Sequence, residues 1–251
     1  MSHSPTECSE STCESVAALQ LFERPDHRCT EPPFAPNQPH CDQRFAALTN
    51  FGTTKCWRSK STLYEAGVPA QVLYRIKKGA VAEFQMLRDG RRHIVAIRMA
   101  GDFCGGVTAT GRNDFSAKAL TDVEAQAIAG QKLAPLLNSE PHLAAALAED
   151  LMHRLKEACE RIVVVARLNA EQRVAHLLLE LRQRYRLRGL NPDALPLPLS
   201  RQEMADYLGM NLETVCRAMA KMKRQGLIKI DSRHEIRIWD ERGVSALAAQ
   251  M

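Results

Sequence analysis

No run of 18 apolar residues occurs anywhere in the chain, which excludes a membrane-spanning helix. The opening stretch, MSHSPTECSE, lacks the basic and apolar segments of a secretory signal, so a soluble, cytoplasmic protein with no membrane partner is expected. Nucleophile and base do not recur at a catalytic spacing, and neither a phosphate-cradling Gly-rich loop nor a zinc signature is present. An enzyme is therefore not expected. Eight cysteines would stay mostly reduced in a cytoplasmic setting, which argues against a disulfide framework. Large apolar residues are scarce over residues 1–40, where six prolines fall, and this stretch reads as a poorly ordered arm.

The remainder is rich enough in apolar residues for two modest domains: 251 residues in all, 45% hydrophobic and 25% charged. Residues 41–139 contain short alternating segments at 62–67, 72–77, 80–87, 93–99 and 123–129. Asp89-Gly90 is a strong hairpin turn between two of them, and Gly79 and Gly101-Asp102 punctuate the others. Strands this short and this closely spaced predict a small antiparallel barrel or jelly roll.

A long helix is predicted over residues 140–168, with Pro141 suited to its first position. Leu147, Leu151, Leu155, Ala158, Ile162 and Val165 recur at intervals of three and four and form one seam. Such a seam either packs on the chain's own barrel or pairs with its twin in a homodimer.

Residues 169–251 carry the most informative pattern. In 201–221, RQEMADYLGMNLETVCRAMAK, the apolar face of Met204, Ala205 and Leu208 is followed by Gly209, which suits the positive φ of a tight exit. Asn211 is placed to cap a second helix whose buried stripe is Leu212, Val215, Ala218, Met219 and Met222. This is a helix-turn-helix, and double-stranded DNA is the expected partner. Glu213 and Arg217, four apart on the exposed side, are either a surface ion pair or base readers; carboxylate accepts from cytosine N4 and guanidinium donates to guanine O6 and N7. Thr214 and Cys216 share that base-reading face, while Ser200, Arg201, Asn211, Lys221, Lys223 and Arg224 are candidates for backbone contact.

Downstream, GLIKIDSRHEIRIW (226–239) alternates on both sides of a polar turn, a β-hairpin wing. Residues 169–251 hold 14 Lys and Arg against 10 Asp and Glu, so +4 of the chain's +5 lies here, which suits phosphate contact.

The order of barrel, long helix, helix-turn-helix and wing resembles the CRP/FNR superfamily of bacterial transcription regulators. The carrying runs are LYRIKKGAVAEFQMLRDGRRHIVAIRMAGDF (73–103), LNAEQRVAHLLLEL (168–181) and LSRQEMADYLGMNLETVCRAMAKMKRQGLI (199–228). The resemblance implies an α+β protein: an N-terminal cyclic-nucleotide-binding-like β-barrel or jelly roll, a dimerisation helix and a C-terminal winged helix-turn-helix. It also implies a homodimer that binds a palindrome near a promoter, works with RNA polymerase and usually activates. Leu212 stands where the cyclic-AMP branch has Arg, which is similar to the FNR and FixK-like branches and their TTGAT half-sites. Low-oxygen respiration, denitrification or nitrogen fixation genes are the targets this implies. Cys216 stands where FNR proteins carry Ser, and a thiol is a poorer donor.

No cofactor is the expectation for the sensor. The family's nucleotide pockets use a Glu after the Gly-Asp-Phe turn and an Arg-Ser pair, where this chain reads Cys104-Gly105-Gly106-Val107 and Phe115-Ser116; cyclic AMP is not expected, although Arg112 lies nearby. Cys8, Cys13, Cys29 and Cys41 offer four thiolates for an iron-sulfur cluster, yet they are separated by 4, 15 and 11 residues, and the family's barrel cysteine falls near Ala127. A haem could draw on His40, His93 or His142, with nothing to choose among them. Cys216 is a separate redox candidate, because a sulfinate there would set negative charge against DNA phosphate.

Overall fold

A computed structural model describes Phe45, Leu48 and residues 51–106, 111–191, 194–232 and 235–249. The expected arm at 1–40, with Cys8, Cys13, Cys29 and His40, lies outside the described residues, as does Cys41.

Eight strands form the N-terminal part: β1 (Thr53–Trp57), β2 (Thr62–Tyr64), β3 (Val72–Lys78), β4 (Ala80–Met86), β5 (Arg92–Met99), β6 (Phe103–Gly105), β7 (Ser116–Ala119) and β8 (Val123–Ala129). They make two antiparallel four-stranded sheets, ordered β1-β8-β3-β6 and β2-β7-β4-β5. The expected barrel is thus not closed; the jelly-roll alternative describes the two sheets. The alternation at 62–67 yields strand only through Tyr64, and β1, β6 and β7 were not anticipated, being too short or too polar to show a period.

Strand β4 explains how this part meets the rest of the molecule. Val81 points into the cluster between the sheets, with Ile76, Ala117 and Val123, while Ala80 and Ala82 point the other way. A strand buried on both faces carries apolar residues at successive positions, and 80–82 read AVA. The outward residues Ala80, Ala82, Ile94, Ile97 and Met99 belong to the same core cluster as the C-terminal helices.

Next come α1 (Gly130–Ser139), unanticipated because Pro135 interrupts its pattern, and α2 (Pro141–Arg167). Pro141 does open α2, where its missing N–H costs nothing. Leu143 and Ala146 bury one face of α2's first turns against Phe103, Ile128 and Leu136.

The C-terminal part comprises α3 (Ala170–Leu187), β9 (Ala194–Pro196), α4 (Arg201–Leu208), α5 (Leu212–Arg224), β10 (Ile228–Ser232), β11 (Glu235–Ile238) and α6 (Glu241–Ala249). Capping boxes start α3 and α4: Asn169 with Gln172, and Ser200 with Glu203. The wing pairs as its alternation predicts, Ile228 with Ile238, Lys229 with Arg237 and Ile230 with Ile236, and β9 adds a third strand along β11. The wing's tip residues 233 and 234 lie outside the described residues.

Candidate nucleic-acid interface

Helix α4 ends on Gly209, which adopts φ 63°, the left-handed conformation that a side chain disfavours. The chain reverses there, and Asn211 starts α5 by accepting a hydrogen bond from the Thr214 N–H at 2.8 Å. Val215, Ala218, Met219 and Met222 are buried against α3 and α4, so the opposite side of α5 must face solvent.

Leu212 departs from the expected stripe, being 43% exposed. Helical side chains lean toward the N-terminus, and Leu212 is the first residue of α5, so it leans past the end of its own helix and beyond the packed core.

Glu213 and Arg217 lie on the exposed side, their charged atoms 3.6 Å apart and their side chains 75% and 70% accessible. An exposed i,i+4 pair contributes about 0.3–0.5 kcal/mol. Both groups can therefore be given up to other partners at small cost. Cys216, Lys221, Lys223 and Arg224 are exposed on the same helix, and Thr214 is half-buried. Arg201 is half-buried at the start of α4; burial lowers its guanidinium from the ordinary value, while the neighbouring Cys216 pulls the other way.

Four of the expected backbone contacts are engaged within the protein, among them Arg201, whose Nη1 donates to Met204 Sδ at 3.4 Å. Ser200 Oγ donates to Glu203 Oε2 at 2.7 Å, Asn211 serves as the α5 cap, and Lys221 Nζ lies 2.7 Å from Glu171 Oε1. Caps leave the neighbouring N–H groups at the helix start pointing outward, where anions bind. Ala170, Glu171, Thr214, Arg217, Lys221 and Arg224 line a shallow cleft between the start of α3 and α5.

Two residues escaped the sequence reading. Glu171 is 50 positions from Lys221, beyond any helical spacing. Arg173 donates to Val165 O at 2.7 Å, Leu168 O at 2.9 Å and Leu208 O at 3.1 Å, tying the end of α2 to the end of α4. Of the expected dimer seam, Leu151, Leu155 and Ile162 are 63%, 58% and 68% exposed, and Ala158 is exposed too. Leu147 leans instead onto the cluster of Leu143 and Phe103, and Val165 is half-buried near Gly209.

Between the two N-terminal sheets, Tyr64 donates to Glu83 Oε1 and Arg98 Nε to Glu83 Oε2, each at 2.7 Å. Gly105 N–H donates to the Tyr64 hydroxyl, and Tyr64 stacks on Tyr74 with ring centroids 5.9 Å apart. Burial pushes the Tyr64 hydroxyl and the Cys104 thiol well up, Glu83 adding to both. Arg98 already serves Glu83, and Arg112 donates to Gly67 O, so these guanidiniums are committed to the protein. Among the described residues, no group of three His, Cys, Asp or Glu is arranged to hold a metal ion. Cys104 is buried, Cys56, Cys159 and Cys216 are exposed, and Ala127 occupies the position expected of a cluster cysteine. His93 is half-buried in β5 and His142 exposed in α2.

Comparison with known proteins places both parts. Residues 54–140 match the cyclic nucleotide-binding domain and residues 172–247 the Crp-like helix-turn-helix domain. The nitrogen fixation regulation protein FixK of Bradyrhizobium diazoefficiens is 37% identical over 177 residues, covering 70% of this chain and 73% of that protein. The transcriptional activator protein FnrL of Cereibacter sphaeroides is 28% identical over 223 residues, 85% of this chain and 89% of that one. The solved structure of FixK2 from Bradyrhizobium japonicum superposes with a TM-score of 0.73 at 28% identity, covering 80% of this chain and 98% of that one. Sheet order, capped helix-turn-helix and these relatives agree, and the chain belongs to the FixK-like branch of the CRP/FNR family of transcription regulators.

Proposed function

We propose that the protein acts in the cytoplasm as a homodimer that reads a TTGAT-type palindrome and activates transcription with RNA polymerase. Its parts divide this work: residues 41–139 as sensor, 140–168 as dimerisation helix and 169–251 as DNA-binding domain. Glu213 and Arg217 read bases, flanked by Thr214 and Cys216, while Ser200, Arg201, Asn211, Lys221, Lys223 and Arg224 meet the backbone. The observation that carries this is the exposed, weakly committed Glu213–Arg217 pair on a helix whose other side is fully packed. The apolar stripe of Leu151, Leu155 and Ile162 on α2 supports the dimer, since exposed leucine and isoleucine along one helix face favour a partner of the same kind. The FixK relative, a nitrogen fixation regulation protein, supports nitrogen fixation genes as targets; low-oxygen respiration and denitrification genes are what the family resemblance adds.

Binding of the full chain to a TTGAT/ATCAA palindrome, measured by fluorescence anisotropy across salt concentrations, tests the reading. Glu213→Ala and Arg217→Ala should each cost about 1–3 kcal/mol on that site and erase preference at the contacted base. Unchanged affinity and preference in both variants would move the reading face elsewhere.

A further inference from the structure

The C-terminal helices are not merely tethered to the N-terminal sheets; they are anchored to them at two separated places. At the first, the Asp102 carboxylate in the β5–β6 turn spans Arg184 in the last turn of α3 and Arg188, which caps that helix, with Oδ2 at 2.6 Å from Arg184 and Oδ1 at 2.6 Å from Arg188. The arginines also reach backbone: Arg184 donates to Ile97 O at 2.8 Å and Arg188 to Ala100 O at 2.7 Å. Met99 N–H completes the carboxylate's shell at 2.7 Å. At the second place Arg92, where β5 begins, forms a two-pronged pair with Asp206 of α4, at 2.7 and 2.8 Å. Beside it, Arg161 of α2 stacks over the Tyr207 ring at 4.5 Å and donates to Val95 O.

Either anchor alone would permit rotation about itself, whereas two anchors joined by a shared apolar core define an orientation. The second anchor is also where α2, β5 and α4 meet, so the first helix of the helix-turn-helix is referred directly to the long helix. Its partner α5 is packed on α4 and inherits that orientation.

We propose that Asp102 and Arg92 are positioning residues for DNA recognition: by holding α3 and α4 on the sensor sheet they set the separation and phase of the two recognition helices in the dimer. This rests on the homodimeric, palindrome-reading function proposed above. A clamp that only stabilised the fold would leave the preferred half-site spacing untouched. A positioning clamp makes that spacing its product.

Spacing selectivity is therefore the readout. The full chain is titrated with two palindromes, one of preferred spacing and one lengthened by a single base pair, which displaces the second half-site by about 3.4 Å and rotates it by roughly 35°. Arg92→Asp, Asp206→Arg and Asp102→Asn should each reduce the ratio of the two affinities, by about tenfold where coupling is of ordinary size. Asp102→Asn leaves Arg184, only 9% exposed, without its carboxylate; should that variant fail to fold, the Arg92 and Asp206 variants still decide the matter at the less central anchor. Combining Arg92→Asp with Asp206→Arg restores opposite charges and should recover the ratio. A parent chain that binds its palindrome, with a ratio unchanged in variants of lowered melting temperature, would overturn the positioning role alone. Failure of the parent to bind any such palindrome would overturn the underlying reading and the clamp's role with it.

Discussion

The Lys221 ammonium rests 2.7 Å from the Glu171 carboxylate, bridging α5 and the first turn of α3 beside the Glu213–Arg217 pair. A carboxylate in that cleft repels phosphate and holds a cation that phosphate would otherwise attract. Glu171→Gln should therefore tighten binding to specific and non-specific DNA by similar factors of a few-fold at low salt, the gain fading as salt rises. Anisotropy titrations on a palindrome and on a scrambled duplex check this; a gain confined to the palindrome would show that Glu171 acts on base reading instead.

Ile162 and Leu155 are more than half exposed on α2 with a repeat that suits a second copy. Ile162→Glu or Leu155→Arg should shift the protein toward monomer in sedimentation velocity. Palindrome affinity should fall with it, because a monomer forfeits the second half-site. A variant that stays dimeric would place the interface on another surface.

Burial pushes the Asp102 carboxyl up, but the guanidiniums of Arg184 and Arg188 outweigh it and leave its pKa below the ordinary 3.8. A carboxylate depressed on folding contributes stability that is complete above the unfolded value and lost as pH falls through the folded one. Asp102→Asn should accordingly be less stable than the parent at neutral pH, with the deficit shrinking as pH falls below about 4. Urea unfolding of both proteins at several pH values measures the gap. A gap that widened in acid would contradict the ion-clamp account.

Cys216 is exposed on α5 with Arg201 as neighbour. Peroxide oxidation to a sulfinate should weaken DNA binding, and Cys216→Ser should resist it. Equal losses in parent and variant would assign the sensitivity to another thiol.

Much of the DNA-binding face was legible in the linear chain because its determinants are local. Gly209 after Leu208, Asn211 three before Thr214, and the spacing of Val215, Ala218 and Met222 all act within one or two helical turns. The wing's register followed from two-residue alternation in the same way.

Sequence by itself determined where α2 and α5 start and where α4 stops, which side of α5 is packed and which side carries Glu213 and Arg217, since each depends on neighbours a few residues apart. Tertiary structure decided the rest. Of the barrel or jelly roll that the alternation allows, the structure chose two sheets, because the choice depends on pairings between distant strands, such as β1 with β8. Leu212 became exposed because α5 extends past its packed core. Asp102 found Arg184 82 positions away and Lys221 found Glu171 50 positions away, and partners so far apart leave no periodic trace; packing the sheet against α3 brings the first pair within reach, and packing α5 against α3 the second.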